Sequence, residues 1–119
     1  MILVDTSVWI EHFRAGATGL RALLEDEQVL THPFVIGELT CGNIRNRAEI
    51  LGLLESLPQV RVADHQEVMA FVAGQRLYGR GIGWLDAHLL ASTLLSKAAL
   101  WTFDRPLAGV AAALGIAHR

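Results

Sequence analysis

A single cysteine, Cys41, in 119 residues leaves nothing to pair as a disulfide and no set of thiolates to hold a metal cluster. No apolar run approaches the ~18 residues of a membrane-spanning helix. The opening residues, Met1 to Asp5, carry no basic segment ahead of an apolar one, so no signal peptide is expected. Charge is also scarce, at 18% of residues. With 10 basic and 12 acidic side chains the formal charge is −2, so net charge does not mark a basic nucleic-acid binder. Lysine is almost missing: Lys97 stands beside nine arginines. Arginine grips phosphate and carboxylate with two parallel hydrogen bonds, where lysine acts as a point charge. What is abundant is apolar residues, at 52%. That excess leaves apolar surface for a partner. The length fits one domain over residues 1–119, and the whole pattern fits a cytoplasmic protein.

Read in order, the chain alternates strands and helices. Ile2 to Val4 reads as a buried strand. Thr6 and Ser7 are cap candidates for a helix through Phe13, and Gly16 and Gly19 bracket a break. Leu20, Leu23 and Leu24 mark a short amphipathic helix, and Gln28 to Thr31 a second strand. Pro33 suits the first turn of a helix, where its missing N–H is not needed. That helix carries Glu38 and stops near Gly42. Ile50, Leu53, Leu54 and Leu57 repeat at helical spacing, and Val60 and Val62 predict a third strand. Asp64 and Glu67 form a capping-box pattern opening a helix with Val68, Phe71 and Val72 inward. Gly79 to Gly83 is a loop, and Leu85 to Lys97 predicts a helix buried nearly all round. Ala98 to Thr102 is a fourth strand, Pro106 to Leu114 a helix, and Gly115 to His118 a fifth, edge strand. Such alternation implies a parallel sheet covered on both faces.

Four acids stand in apolar sequence: Asp5 in Ile-Leu-Val-Asp-Thr-Ser, Glu38 in Val-Ile-Gly-Glu-Leu-Thr, Asp86 in Gly-Trp-Leu-Asp-Ala-His, and Asp104 in Leu-Trp-Thr-Phe-Asp. Carboxylates belong in water unless paired or metal-bound. In open α/β sheets, ligands bind beyond the carboxyl ends of strands. Asp5 ends the first strand and Asp104 closely follows the fourth; Asp86 opens the helix before that strand. Were strands one and four neighbours, all four acids could face one crevice. Four carboxylates together repel. Mg²⁺ relieves this with oxygen ligands, usually one or two carboxylates plus waters and phosphate oxygens. No His–Cys spacing supports zinc. Singly, three acids have structural readings: Asp5 and Asp104 as helix caps, Asp86 as a first-turn acid favoured by the helix dipole. Glu38, flanked by Phe34, Val35, Ile36 and Leu39, has no such simple role.

These motifs, in this order and with 33, 48 and 18 positions between successive acids, resemble those of a PIN domain of the VapC toxin type. The resemblance runs the full length of the chain. It implies a three-layer α/β/α fold with a central parallel sheet of about five strands in the order 3-2-1-4-5. It also implies an endoribonuclease dependent on Mg²⁺ or Mn²⁺. Position by position, Asp5 and Asp86 match the principal metal-binding aspartates, and Asp104 the fourth acid, also placed at the metal. Glu38 matches the acid that holds metal or orients the attacking water. Thr102 matches a hydroxyl that orients a carboxylate or water; a buried strand threonine bonded to backbone is the alternative. The resemblance further implies an RNA substrate, a VapB-type antitoxin that wraps apolar helices, and a homodimer. Phe34, Val35, Ile50, Leu53 and Leu54 could frame the antitoxin groove or belong to the core. Arg14, Arg76, Arg80 and Arg105 are candidates to guide phosphates, and Trp84 to stack on a base. His12, His32, His65, His88 and His118 show no ligand spacing.

Two rival readings stay open. A phosphorylatable receiver-like switch shares the length and alternation, but needs an acceptor Asp after the third strand and a Lys after the fifth. Only Asp64, in its capping box, fits the first place, and no lysine fits the second. A PIN nuclease of RNA processing would share the site without being a toxin.

Overall fold

The computed structural model describes residues 1–16 and 18–118. Its elements are β1 (Ile2–Val4), α1 (Thr6–Ala15), α2 (Leu20–Glu25), β2 (Val29–Leu30), α3 (Pro33–Thr40), α4 (Arg47–Ser56), α5 (His65–Gln75), α6 (Trp84–Leu95), β3 (Ala99–Trp101) and α7 (Arg105–Ala113). β1 is central. It pairs in parallel with β2 through Ile2–Val29 and Leu3–Leu30, and with β3 through Ile2–Ala99, Leu3–Leu100 and Val4–Trp101. The first and fourth sequence-predicted strands are therefore neighbours. Single parallel bridges extend the sheet on both sides, Thr31 to Gln59 and Leu100 to Ala117. Counting those bridges, the order is the expected 3-2-1-4-5.

The outer strands are shorter than the alternation predicts, and α6 supplies the reason on one side. Beyond Val60, whose N–H reaches Thr31 O at 2.9 Å, the amides turn to serine hydroxyls of α6 and its cap. Arg61 N donates to Ser96 Oγ (2.8 Å) and Ala63 N to Ser92 Oγ (3.0 Å). Helix hydroxyls satisfy this segment, so Val62 stays outside any ladder and is exposed. At the other edge, Leu100 exchanges bonds with Ile116 O (2.7 Å) and His118 N (2.9 Å) only.

Leu3, Val4 and Leu100 from the sheet meet Val8, Trp9, Leu89, Leu90, Leu107 and Val110 in one core. The middle of α6, Ala87 to Thr93, is buried without a break, as its apolar sequence predicts, while Trp84, Leu85 and Leu94 at its ends are exposed. The capping box of α5 is formed: Asp64 accepts from Glu67 N (2.8 Å) and donates its own N–H to Glu67 Oε1 (3.0 Å). α1 is capped by Asp5 rather than by Thr6 or Ser7, and ends at Gly16 in the left-handed conformation (φ 70°). Among the described residues, no helix is long and apolar enough to cross a membrane.

Candidate active site

The central strand delivers Asp5 to its own carboxyl end, where the chain turns into α1. Asp5 is only 7% exposed. Its Oδ2 accepts from Ser7 Oγ (2.7 Å), Thr102 Oγ1 (2.8 Å) and, at longer range, Ser7 N (3.4 Å). The two hydroxyls are fixed in turn by amides after β3. Phe103 N donates to Ser7 Oγ (3.0 Å) and Asp104 N to Thr102 Oγ1 (3.0 Å). Each hydroxyl thus accepts from backbone and passes its single proton to the same carboxylate oxygen. Hydrogen bonds to a charged group are stronger than neutral ones, at about 1.5–3 kcal/mol each. Asp5 is locked: its donors converge on Oδ2, and no donor among the described residues reaches Oδ1.

Asp86 lies one turn into α6 and is half-buried. Gly83 N donates to its Oδ2 at 3.0 Å. Desolvation raises its pKa above the ordinary carboxylate value; the Gly83 bond opposes this, and the negative charges of Asp5 and Asp104 push it further up. The charges of Asp5 and Asp104 thus both bear on Asp86. Asp104 caps α7, accepting from Leu107 N at 3.1 Å, and is exposed. Glu38 is exposed on α3, and Thr6 Oγ1 donates to its Oε1 at 2.8 Å.

Apolar neighbours in sequence therefore do not bury all four acids: only Asp5 is buried. Glu38 escapes because successive helix residues turn by ~100°. Val35 and Leu39 point inward, and Glu38 sits at the edge of their stripe.

The donor set suits a hard divalent cation. It is all carboxylate oxygen, with one oxygen of Asp5 free and Asp86 destabilised as an anion. Among the described residues, neither ion pair involves these acids: the pairs are Arg14–Glu11 and Arg21–Glu25. No three His, Cys, Asp or Glu side chains among the described residues close around one point as a ligand set. Asp5, Asp86 and Asp104, expected from the sequence to hold the metal, do not by themselves close such a set; Mg²⁺ commonly takes one or two carboxylates together with waters and phosphate oxygens.

Sequence reasoning takes Thr6 and Ser7 for caps and misses their side-chain roles. The signal is two hydroxyls directly after a strand-end aspartate. Thr102 donates to a carboxylate and accepts from a backbone amide, Asp104 N, rather than donating to a backbone carbonyl. Thr102→Val should lower the rate of any reaction catalysed at this site about tenfold and cost ~1–3 kcal/mol, since Asp5 loses a donor and Asp104 N an acceptor. Thr102→Ser should restore both. Urea unfolding and initial rates check this, and wild-type values for the valine variant would refute it.

The family model of the PIN domain matches residues 2–113 of this chain. The chain belongs to the PIN-domain family. It is also similar to Ribonuclease VapC32 of Mycobacterium tuberculosis, in strains CDC 1551/Oshkosh and H37Rv. The identity is 49% over 118 residues in each case, covering 98% of this chain and 95% of the relative.

Proposed function

We propose that the chain is a single-domain, cytoplasmic, metal-dependent endoribonuclease and the toxic member of a toxin–antitoxin pair. The observation that carries this reading is the locked Asp5 at a strand end, with Asp86 near enough to feel the negative charge of Asp5 and of Asp104, an arrangement that a divalent cation would relieve. Similarity to a ribonuclease over nearly the whole chain supports RNA as the substrate.

Asp5, Asp86 and Asp104 would hold Mg²⁺ or Mn²⁺. Such an ion acidifies a water and neutralises charge on the scissile phosphate. Thr6 fixes Oε1 of Glu38, leaving Oε2 to orient the attacking water and take its proton. The water oxygen bonds to phosphorus, the bond from phosphorus to O3′ breaks, and O3′ takes up a proton from solvent water as it leaves. The products carry 5′-phosphate and 3′-hydroxyl ends.

The antitoxin is assigned to a cleft of about 530 Å³ lined by Ile10, Phe13, Leu39, Ile44 and Ile50, which also takes in Glu38, Arg14 and Arg45. An apolar helix laid there would reach Glu38. Of the five residues proposed from sequence to frame a groove, Ile50 alone lines this cleft; Val35 and Leu54 are core. Arg14 is held by Glu11, which leaves Arg76, Arg80 and Arg105 as the better phosphate guides. A homodimer completes the reading. The receiver-like alternative gains nothing, because Asp64 caps α5.

The deciding experiment incubates purified protein with total RNA in Mg²⁺ and in EDTA, then sequences the ends. Metal-dependent 5′-phosphate ends are expected. Cyclic phosphates lost on 2′-deoxy substitution at the cut would mean that the ribose hydroxyl is the nucleophile, and would overturn the mechanism.

A further inference from the structure

We infer that the segment from Arg76 to Trp84 forms a second subsite that receives an unstacked base of the RNA beside the cleaved phosphate. This rests on the nuclease reading above and names part of its specificity.

The sequence here is Arg76-Leu-Tyr-Gly-Arg-Gly-Ile-Gly-Trp84, with basic and aromatic residues interleaved by glycine. α5 ends at Arg76 in the left-handed conformation (φ 54°), and Gly79 and Gly81 also take positive φ (72° and 79°). The loop that results is pinned against the site. A Cβ on Gly81 would lie 3.5 Å from Pro106 Cβ, in the first turn of the helix that Asp104 caps. At its other end Gly83 donates to Asp86. The loop therefore links the starts of the two helices that carry Asp86 and Asp104.

Between this loop and α5 lies a cavity of about 190 Å³, lined by Tyr78, Trp84, Val72, Leu77, Ile82 and Ala87, with Gly83 at its wall. The lining is almost wholly apolar, yet its two aromatic rings are not spent on the core. Tyr78 is 67% exposed and Trp84 40%. Trp84 is held in place by His88, edge-on at 4.7 Å, and by His65 at 5.1 Å. A partly exposed indole that lines one cavity with a phenol, two residues from Asp86, is a stacking platform. Arg76 and Arg80 flank it, exposed, with charge to match the backbone of the same strand. Every base has a flat apolar face, so stacking suits single-stranded RNA. The cavity's poverty in polar groups means that base size and stacking strength, rather than edge hydrogen bonds, set the preference.

The test compares cut-site profiles in total RNA for wild type, Tyr78→Ala and Arg80→Gln, with Trp84→Phe as the conservative aromatic change. Tyr78 is so exposed that its truncation should leave the thermal midpoint unchanged. Tyr78→Ala should lower kcat/KM roughly tenfold on a short single-stranded RNA carrying the mapped site, and flatten the base preference at one position beside the cut. Removing that base from the oligonucleotide should cost the wild type the same factor and the variant nothing more. Arg80→Gln should weaken cleavage evenly without altering the profile, and Trp84→Phe should keep the preference. An unchanged profile in Tyr78→Ala, with the wild type cutting normally, overturns the subsite. So does loss of dimerisation with the profile intact, which would make this face a copy–copy contact. Absence of any wild-type cleavage instead overturns the nuclease reading on which the subsite stands.

Discussion

Asp5→Asn is expected to abolish RNA cleavage, by on the order of a thousandfold or more, while the protein stays folded. A metal's stabilisation of transition-state charge is worth several kcal/mol, and each ~1.4 kcal/mol is tenfold in rate. Asparagine has the shape of aspartate, and its carbonyl oxygen can still accept from Ser7 Oγ and Thr102 Oγ1, so the hydroxyl network survives. What disappears is the charge of the oxygen left without protein donors. Without metal, two effects oppose each other in the variant: the bonds from Ser7 and Thr102 lose their charge assistance, and Asp86 is relieved of repulsion by Asp5. With Mg²⁺, the wild-type thermal midpoint should rise and the variant's should not, since only a binder of the native state shifts that equilibrium. Melting curves with and without Mg²⁺, beside end-labelled RNA cleavage, check both halves. Persistent Mg²⁺-dependent cleavage in Asp5→Asn would remove Asp5 from the site.

Three acids of the proposed site stand out in the sequence because each sits at a recognisable joint of the chain. Asp5 follows an apolar strand, Asp86 opens an apolar helix, and Asp104 precedes Pro106. What is not legible is the way they are held. The lock on Asp5 joins residues 7 and 102 across the β1–β3 pairing. Nothing local in Thr-Ser or Trp-Thr-Phe reveals that the two hydroxyls share one oxygen. Burial is overread for the same reason. Neighbours in sequence are not neighbours in space on a helix, so Glu38 among apolar residues is still exposed.

The fold divides in a similar way. Local signals locate the helices: Pro33, the Asp64–Glu67 box, and the uninterrupted apolar run of α6. The central strands are equally plain, since Ile-Leu-Val and Ala-Leu-Trp are apolar, bury Leu3, Val4 and Leu100, and pair in register. The outer strands are not. Whether Val60 to Ala63 joins the sheet depends on Ser92 and Ser96, about thirty residues later, capturing its amides.

His32 carries the second large effect, on stability rather than activity. No ligand spacing singles it out in the sequence, yet it is fully buried and caps α3, with Nδ1 accepting from Phe34 N at 2.9 Å. That bond requires a ring that is neutral at Nδ1. Desolvation, reinforced by His88 across a 6.4 Å edge-on contact, lowers its pKa from 6.5 to about 4. His88, buried and also lowered, acts in the same direction. The folded state therefore binds fewer protons than the unfolded state between pH 6.5 and 4, so stability falls as pH falls through that window. The loss from His32 is up to about 3 kcal/mol, since each tenfold change in proton affinity is worth ~1.4 kcal/mol. Asp86 opposes it, because a raised carboxyl pKa gains stability as pH falls. His32→Asn keeps a good capping acceptor and removes the titration. Its stability should be lower at about pH 7.5, from lost packing, but its decline towards about pH 4.5 should be shallower by most of that amount. Urea unfolding of both proteins across this range measures the difference. Parallel declines would show that His32 does not carry the acid sensitivity.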